Sequence, residues 1–167
     1  MRINRSILLV LLLVFSGCGY HIAGRGGKMP GGITSLSIPV FTNNTAKPDI
    51  EAPVTSAFVN EFVNTVVVKD KGDAVMSGVI KSYSLTAVSY TKSDVNQEYR
   101  LAVVMSVKIV RQGTGEVLWE DDNVIDTEDF TVNIGNVTAT KEAEDEALKK
   151  ISRDTARAIK ERIVNDF

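Results

Sequence analysis

The sequence predicts an α+β fold, a two-layer sandwich in which two helices cover a mostly antiparallel four-stranded sheet. Two observations support this prediction: apolar residues recur at helical spacing in two segments, and they alternate with other residues in four more. The elements follow in the order β-α-β-β-β-α, so three consecutive strands form a meander whose apolar face needs helices to cover it. The 167 residues, 44% of them hydrophobic, suffice for one domain with a substantial core.

The first strand and the first helix occupy the beginning of the predicted domain. Alternating apolar residues predict a strand over residues 35–40, where Pro39 marks a sheet edge or a strand end. The helix begins between residues 49 and 52, because Pro53 is tolerated only in a first turn. Its apolar stripe consists of Ile50, Val54, Ala57, Phe58 and Phe62.

Three long strands and a second helix follow. Residues 74–90 are rich in strand-forming residues, but their alternation slips at Lys81 and Ser82, which predicts a β-bulge. Residues 99–109 alternate regularly, and a turn at 112–115 leads into a fourth strand over 116–131. The final helix runs from Thr140 to Val164, with Thr140 as its cap. Its apolar stripe consists of Ala147, Leu148, Ile151, Thr155, Ala158, Ile159 and Ile163.

The beginning of the chain is typical of an export signal that ends in a lipidation site. Arg2 and Arg5 precede an apolar run over residues 7–15, which is shorter than the roughly 20 residues of a membrane-spanning helix. Two small residues then lead to Cys18, whose thiol would accept a diacylglycerol. The alternative is an ordinary secretory signal followed by an incidental free cysteine. We therefore expect a lipoprotein signal peptide (1–17), a lipidated cysteine with a glycine-rich tether (18–34) and a folded domain (35–167).

Composition argues against an enzyme and against nucleic-acid binding. One histidine and one cysteine leave no intramolecular disulfide, multi-cysteine metal site or histidine-rich zinc site. The net charge of −2 provides no bulk attraction to nucleic acid. Two acidic pairs at 121–122 and 128–129 could serve glycosidase or metal chemistry, but no partner base accompanies them, and a solvated acidic sheet edge is the preferred interpretation. We expect no catalytic residues, no metal and no cofactor besides the covalent lipid on Cys18.

Several short motifs together resemble the lipopolysaccharide-assembly lipoprotein family, LptE. They are residues 18–21 (CGYH), 36–45 (LSIPVFTNNT), 98–101 (EYRL) and 117–120 (VLWE). The resemblance implies a non-catalytic lipoprotein anchored in the outer membrane on its periplasmic side. It also implies two partners: the β-barrel translocon LptD, inside which the domain would sit as a plug, and lipopolysaccharide. The residues alone leave open an accessory lipoprotein of another envelope machine, such as a peptidoglycan-synthase activator; a lipid-anchored hydrolase is less favoured.

The same resemblance implies that two basic residues contact lipopolysaccharide. The family carries such residues in the loop before Glu98 and at the start of the final helix, where this chain has Lys92 and Lys141. The phosphates of lipid A are anionic, so exposed lysine side chains suit them. The alternative is that both are ordinary solubilising lysines, since Asp94 and Glu142 lie close by in sequence and would partly neutralise them.

Overall fold

A computed structural model describes residues 29–90, 96–133 and 135–165 of the chain. The signal segment, Cys18 and Lys92 lie outside these residues. After a short 3₁₀ turn, the described residues form six strands and two helices. In chain order these are β1 (Ser35–Ser37), β2 (Thr42–Asn43), α1 (Glu51–Phe62), β3 (Val67–Val68), β4 (Ala74–Tyr90), β5 (Asn96–Arg111), β6 (Val117–Asn133) and α2 (Val137–Asn165).

The sheet is mixed and larger than the sequence predicts. The three long strands pair in antiparallel order, β4 with β5 and β5 with β6, as expected for the meander. The strand order is β3-β1-β4-β5-β6, and the short strands β1, β2 and β3 add parallel pairs, with β2 also on β4. The prediction of four mostly antiparallel strands is therefore wrong in number and in the short pairings, although the α+β class is confirmed. Strands of two residues are too short to show an alternating pattern.

The predicted irregularity in β4 is present. The register with β5 shifts between Ile80 and Ser82, so Lys81 is the extra residue of a β-bulge. A further shift lies between Ala87 and Ser89, and the β5–β6 ladder shifts twice more. Because each extra residue reverses which side chains face the core, the bulges keep the apolar residues of long strands on one face.

Both helices cover the same face of the sheet. The alternating residues of β5 are buried beneath them, from Leu101 to Ile109, as the pattern predicts. The beginning of α1 at Glu51 agrees with the prediction, and Pro53 lies in the first turn. Helix α2 begins earlier than predicted, because the Asn136 side chain, rather than Thr140, accepts a hydrogen bond from the Ala139 N–H at 3.0 Å. Among the described residues, no helix combines the length and apolar character needed to cross a bilayer.

Residues that the sequence assigns to the tether belong to the packed domain. Met29 and Ile33 are each only 5% exposed and join the hydrophobic core, and Pro30 is also buried. The Arg111 guanidinium donates to the Gly31 carbonyl oxygen at 2.9 Å, which holds this segment against the end of β5. Packing therefore begins at Met29 at the latest, six positions before the predicted boundary at Ser35.

Candidate functional site

Lys141 lies near the beginning of α2 and lines an open groove between this helix and the loop that leads into α1. The groove has a volume of about 430 Å³, and Lys47, Ile50 and Lys149 are among its other lining residues. The side chains of Lys141 and Lys149 are exposed. The structure thus brings Lys141 together with two lysines that the sequence analysis did not single out.

Side-chain hydrogen bonds shape the loop that carries Lys47. The Asn43 amide donates to the Lys47 carbonyl oxygen at 2.8 Å and to the Glu51 carboxylate at 3.0 Å. The Asn43 side-chain oxygen accepts from the Thr45 backbone N–H at 3.0 Å. Asp49 then adopts a φ of 64°, a left-handed conformation that aspartate tolerates better than most residues. These interactions fix the position of Lys47 relative to α2.

Next to this groove, Glu144 is a buried carboxylate with two donors. The Lys47 ammonium group donates to Glu144 Oε1 at 2.7 Å, and the Tyr83 hydroxyl donates to the same atom at 2.5 Å. Burial raises the pKa of Glu144, but the hydrogen bonds from Lys47 and Tyr83 outweigh it and hold the pKa below its usual value. Burial, followed by the hydrogen bond to Glu144, raises the pKa of the Tyr83 hydroxyl. At neutral pH the cluster therefore contains a carboxylate and an uncharged phenol.

The three lysines of the groove differ in whether another side chain of the protein already neutralises them. Lys47 is paired with Glu144, whereas Lys141 and Lys149 form no ion pair within the part of the chain that the structure describes. Two unpaired ammonium groups beside an open groove can hold an anionic group such as a phosphate. Sequence reasoning found Lys141 but missed Lys47, which lies 97 positions from its partner Glu144 and shows no local signal.

The two acidic pairs of β6 do not assemble a catalytic pair, because their side chains point to different partners. Asp121 accepts a hydrogen bond from Arg162 of α2 at 2.8 Å, and Glu128 is paired with Lys150 of the same helix. Asp129 instead binds Arg100 of β5 through two hydrogen bonds of 2.7 Å. No group of three His, Cys, Asp or Glu side chains within the described ranges could hold a metal ion. These three acids are therefore ion-paired between elements, which corrects the interpretation as a purely solvated edge.

Comparisons with known proteins identify a family from the sequence and similar folds among solved structures. Residues 33–163 match the family model described as LptE, lipopolysaccharide-assembly. A DUF330-family protein from Xanthomonas campestris has a similar fold, with a TM-score of 0.54 at 8% identity over 78% of this chain and 86% of that one. A protein from Caulobacter crescentus gives a TM-score of 0.51 at 9% identity, over 75% and 88% of the two chains. Rare lipoprotein B from Shewanella oneidensis is 13% identical over 79% and 95%, with a TM-score of 0.46. No curated protein sequence matches the chain.

Proposed function

The chain belongs to the LptE family of lipopolysaccharide-assembly proteins, and from this membership we propose that it is a non-catalytic outer-membrane lipoprotein that assists the LptD barrel. The observation that carries the proposal is the family match, which spans residues 33–163. In the proposed assembly the domain sits as a plug inside the translocon, and its exposed lysines contact lipopolysaccharide on its way to the cell surface.

The anchor in this proposal is the lipid on Cys18. The apolar run and the small residues before Cys18 support cleavage and acylation at this position. Several acyl chains, at about 0.8 kcal/mol per buried CH₂, would hold the protein permanently in the membrane. The glycine-rich sequence that follows Cys18 would then connect the membrane to the domain, to which the buried Met29 belongs.

The shape of the domain supports a role as a plug. Helix α2 has 29 residues, which at 1.5 Å per residue makes it about 44 Å long. The strands β4 and β6 have 17 residues each and span about 56 Å when extended. An elongated domain of this kind suits a barrel lumen when its long axis follows the barrel axis.

The proposed lipopolysaccharide contact uses Lys141, together with Lys92, whose position in the sequence is between β4 and β5. Lys141 is supported by its exposure, its lack of an ion pair within the described residues and its position on an open groove. Lys92 is carried by the family resemblance alone. Both lysines would bind phosphate groups of the lipid A headgroup.

The test replaces both lysines by aspartate, Lys92→Asp with Lys141→Asp, in the full-length lipoprotein. We expect weaker binding of purified lipopolysaccharide, with an effect that is largest at low ionic strength because salt screens exposed charges. The matched control, Lys69→Asp with Lys71→Asp, makes the same charge change at two exposed lysines in the loop between β3 and β4 and should leave binding unchanged. If the folded double variant binds lipopolysaccharide as tightly as the wild type at low salt, these two lysines do not contribute to the binding.

Affinity isolation from detergent-solubilised membranes tests the partner. Recovery of an outer-membrane β-barrel with the full-length protein is the expected result. Recovery of a peptidoglycan synthase without any barrel would contradict the proposal and support the accessory-lipoprotein alternative.

A further inference from the structure

A second groove lies on another side of α2, between this helix and β6. Its volume is also about 430 Å³. Phe130 of β6 and Ala143 and Ala147 of α2 line it, and Phe130 and Ala147 are nearly buried, at 8% and 3% exposure. A groove of this volume with an apolar base has the size of a small-molecule site.

Two cations at the rim of this groove are available to a ligand. Lys149 and Arg153 line the groove, are exposed, and have no ion pair within residues that the structure describes. Their neighbour Lys150 differs, because it is paired with Glu128 and lies 3.7 Å from Asp154. One helical turn separates Lys149 from Arg153, so both side chains can reach the same anionic group.

Carboxylates share the rim with these cations and restrict the ligand further. Glu146 lines the groove, is exposed, and has no ion pair among the described residues, while Glu128 is occupied by Lys150. A ligand made only of phosphate would meet Glu146 as a like charge. A neutral sugar would leave the charges of Lys149 and Arg153 unused. A ligand that carries both hydroxyl groups and a phosphate uses all three side chains.

We infer that the groove between β6 and α2 binds a phosphorylated saccharide. Its phosphate accepts hydrogen bonds from Lys149 and from the planar guanidinium of Arg153, which can bind two phosphate oxygens at once. Its hydroxyl groups donate to Glu146, and its ring lies over the apolar base near Phe130. The inference rests on the proposed function, because lipopolysaccharide is the source of such a headgroup for a protein of this family.

The two grooves can be tested separately, because each has a cation that the other lacks. Arg153 lines only the groove beside β6, and Lys141 lines only the groove beside α1, whereas Lys149 borders both. The comparison therefore uses Arg153→Glu and Lys141→Glu as single variants. Lys69→Glu is the matched control, since it makes the same charge change at an exposed lysine outside both grooves.

The experiment measures binding of purified lipopolysaccharide, of its enzymatically dephosphorylated form and of free glucosamine 1-phosphate to the full-length lipoprotein in detergent. Arg153→Glu should weaken lipopolysaccharide binding by about tenfold or more, because the loss of even one charge-assisted hydrogen bond accounts for that factor. Arg153→Lys should retain part of the affinity, and Lys69→Glu should retain all of it. Dephosphorylated lipopolysaccharide should bind the wild type and Arg153→Glu equally. If glucosamine 1-phosphate competes with lipopolysaccharide, the phosphorylated sugar alone is sufficient for binding. If lipopolysaccharide binds and glucosamine 1-phosphate does not compete, the lipid is also needed.

Three outcomes would overturn the inference. Wild-type affinity in Arg153→Glu together with weaker binding in Lys141→Glu would reject the groove beside β6 and leave the proposed function intact. Failure of the wild type to bind lipopolysaccharide would contradict both the binding site beside β6 and the lipopolysaccharide contact of the proposed function. Loss of the β-barrel from affinity isolation in Arg153→Glu, with lipopolysaccharide binding unchanged, would identify the groove as a contact for an acidic protein surface instead.

Discussion

At the scale of single residues, hydrogen-bond donors from distant parts of the chain offset the desolvation of a buried carboxylate. Glu144 is 9% exposed and accepts hydrogen bonds from Tyr83 and Lys47. Tyr83→Phe removes one of these donors, so we expect a loss of about 1.5–3 kcal/mol in the free energy of unfolding. The pKa of Glu144 should rise, because the Tyr83 hydroxyl is one of the groups that lower it. Urea denaturation measures the unfolding free energy, and NMR titration measures the pKa of Glu144. Glu142→Gln, at an exposed position of the same helix, is the control. If Tyr83→Phe changes neither quantity, the hydrogen bond from Tyr83 to Glu144 does not have this role.

Asp73 makes a second residue-scale prediction, on pH dependence. Its carboxylate accepts from the Thr34 N–H at 2.9 Å and the Thr34 hydroxyl at 2.8 Å, and also from the Ser35 N–H, which lowers its pKa to about 2. Because the pKa in the unfolded chain is about 3.9, this stabilisation is complete above that pH and is lost as the pH falls towards 2. The urea midpoint of the wild type should therefore fall more steeply than that of Asp73→Asn between about pH 5 and pH 2. Parallel curves for the two proteins, with Asp70→Asn as control, would disprove this role of Asp73.

At the scale of elements, β4 has a position where only glycine fits. A Cβ atom at Gly78 would lie 2.2 Å from Cδ2 of Phe41, which is 2% exposed and packs on Phe58 with ring centroids 4.8 Å apart. Gly78→Ala should therefore cost about 1–3 kcal/mol of unfolding free energy through overpacking. The neighbouring exposed change Ser77→Ala is the control. Denaturation of the double variant with Phe41→Leu should show that the two changes are not additive, and additive losses would contradict the clash.

The elements also show what periodicity can and cannot predict. The alternation of β5 and the slip at Lys81 were visible in the sequence, because each depends on residues adjacent in one strand. The strands β2 and β3 were not, since two residues carry no period, and their parallel pairing with distant strands leaves no local trace. The start of α2 was misplaced because Thr140 and Asn136 are both good caps, and only the fold decides which one is used.

For the whole molecule, the distribution of charge follows from sheet topology. Bases cluster in residues 69–111 and acids in residues 112–140, a division that the sequence shows but does not explain. The antiparallel register places these segments side by side, so Lys108 lies 3.1 Å from Glu120 and Arg100 pairs with Asp129. Exposed pairs of this kind contribute little stability individually.

The sequence predicted the exposure of Lys141 but not the groove beside it, because Lys47 reaches that groove only through the tertiary fold.

The extent of the folded unit gives the last prediction, which concerns the whole chain. A protein that starts at Gly19 and lacks the lipid should fold, because the residues from Met29 onward supply a continuous hydrophobic core. Compared with a protein that starts at Met29, one that starts at Thr34 loses the buried side chains of Met29 and Ile33. Full burial of such side chains is worth about 1.5–3 kcal/mol each, so the shortest protein should lose about 3–6 kcal/mol. This is a large share of the stability of an ordinary domain, about 5–15 kcal/mol. Circular dichroism and urea denaturation of the three proteins measure the difference; equal unfolding free energies for the proteins starting at Met29 and Thr34 would show that residues 29–33 add nothing to the domain.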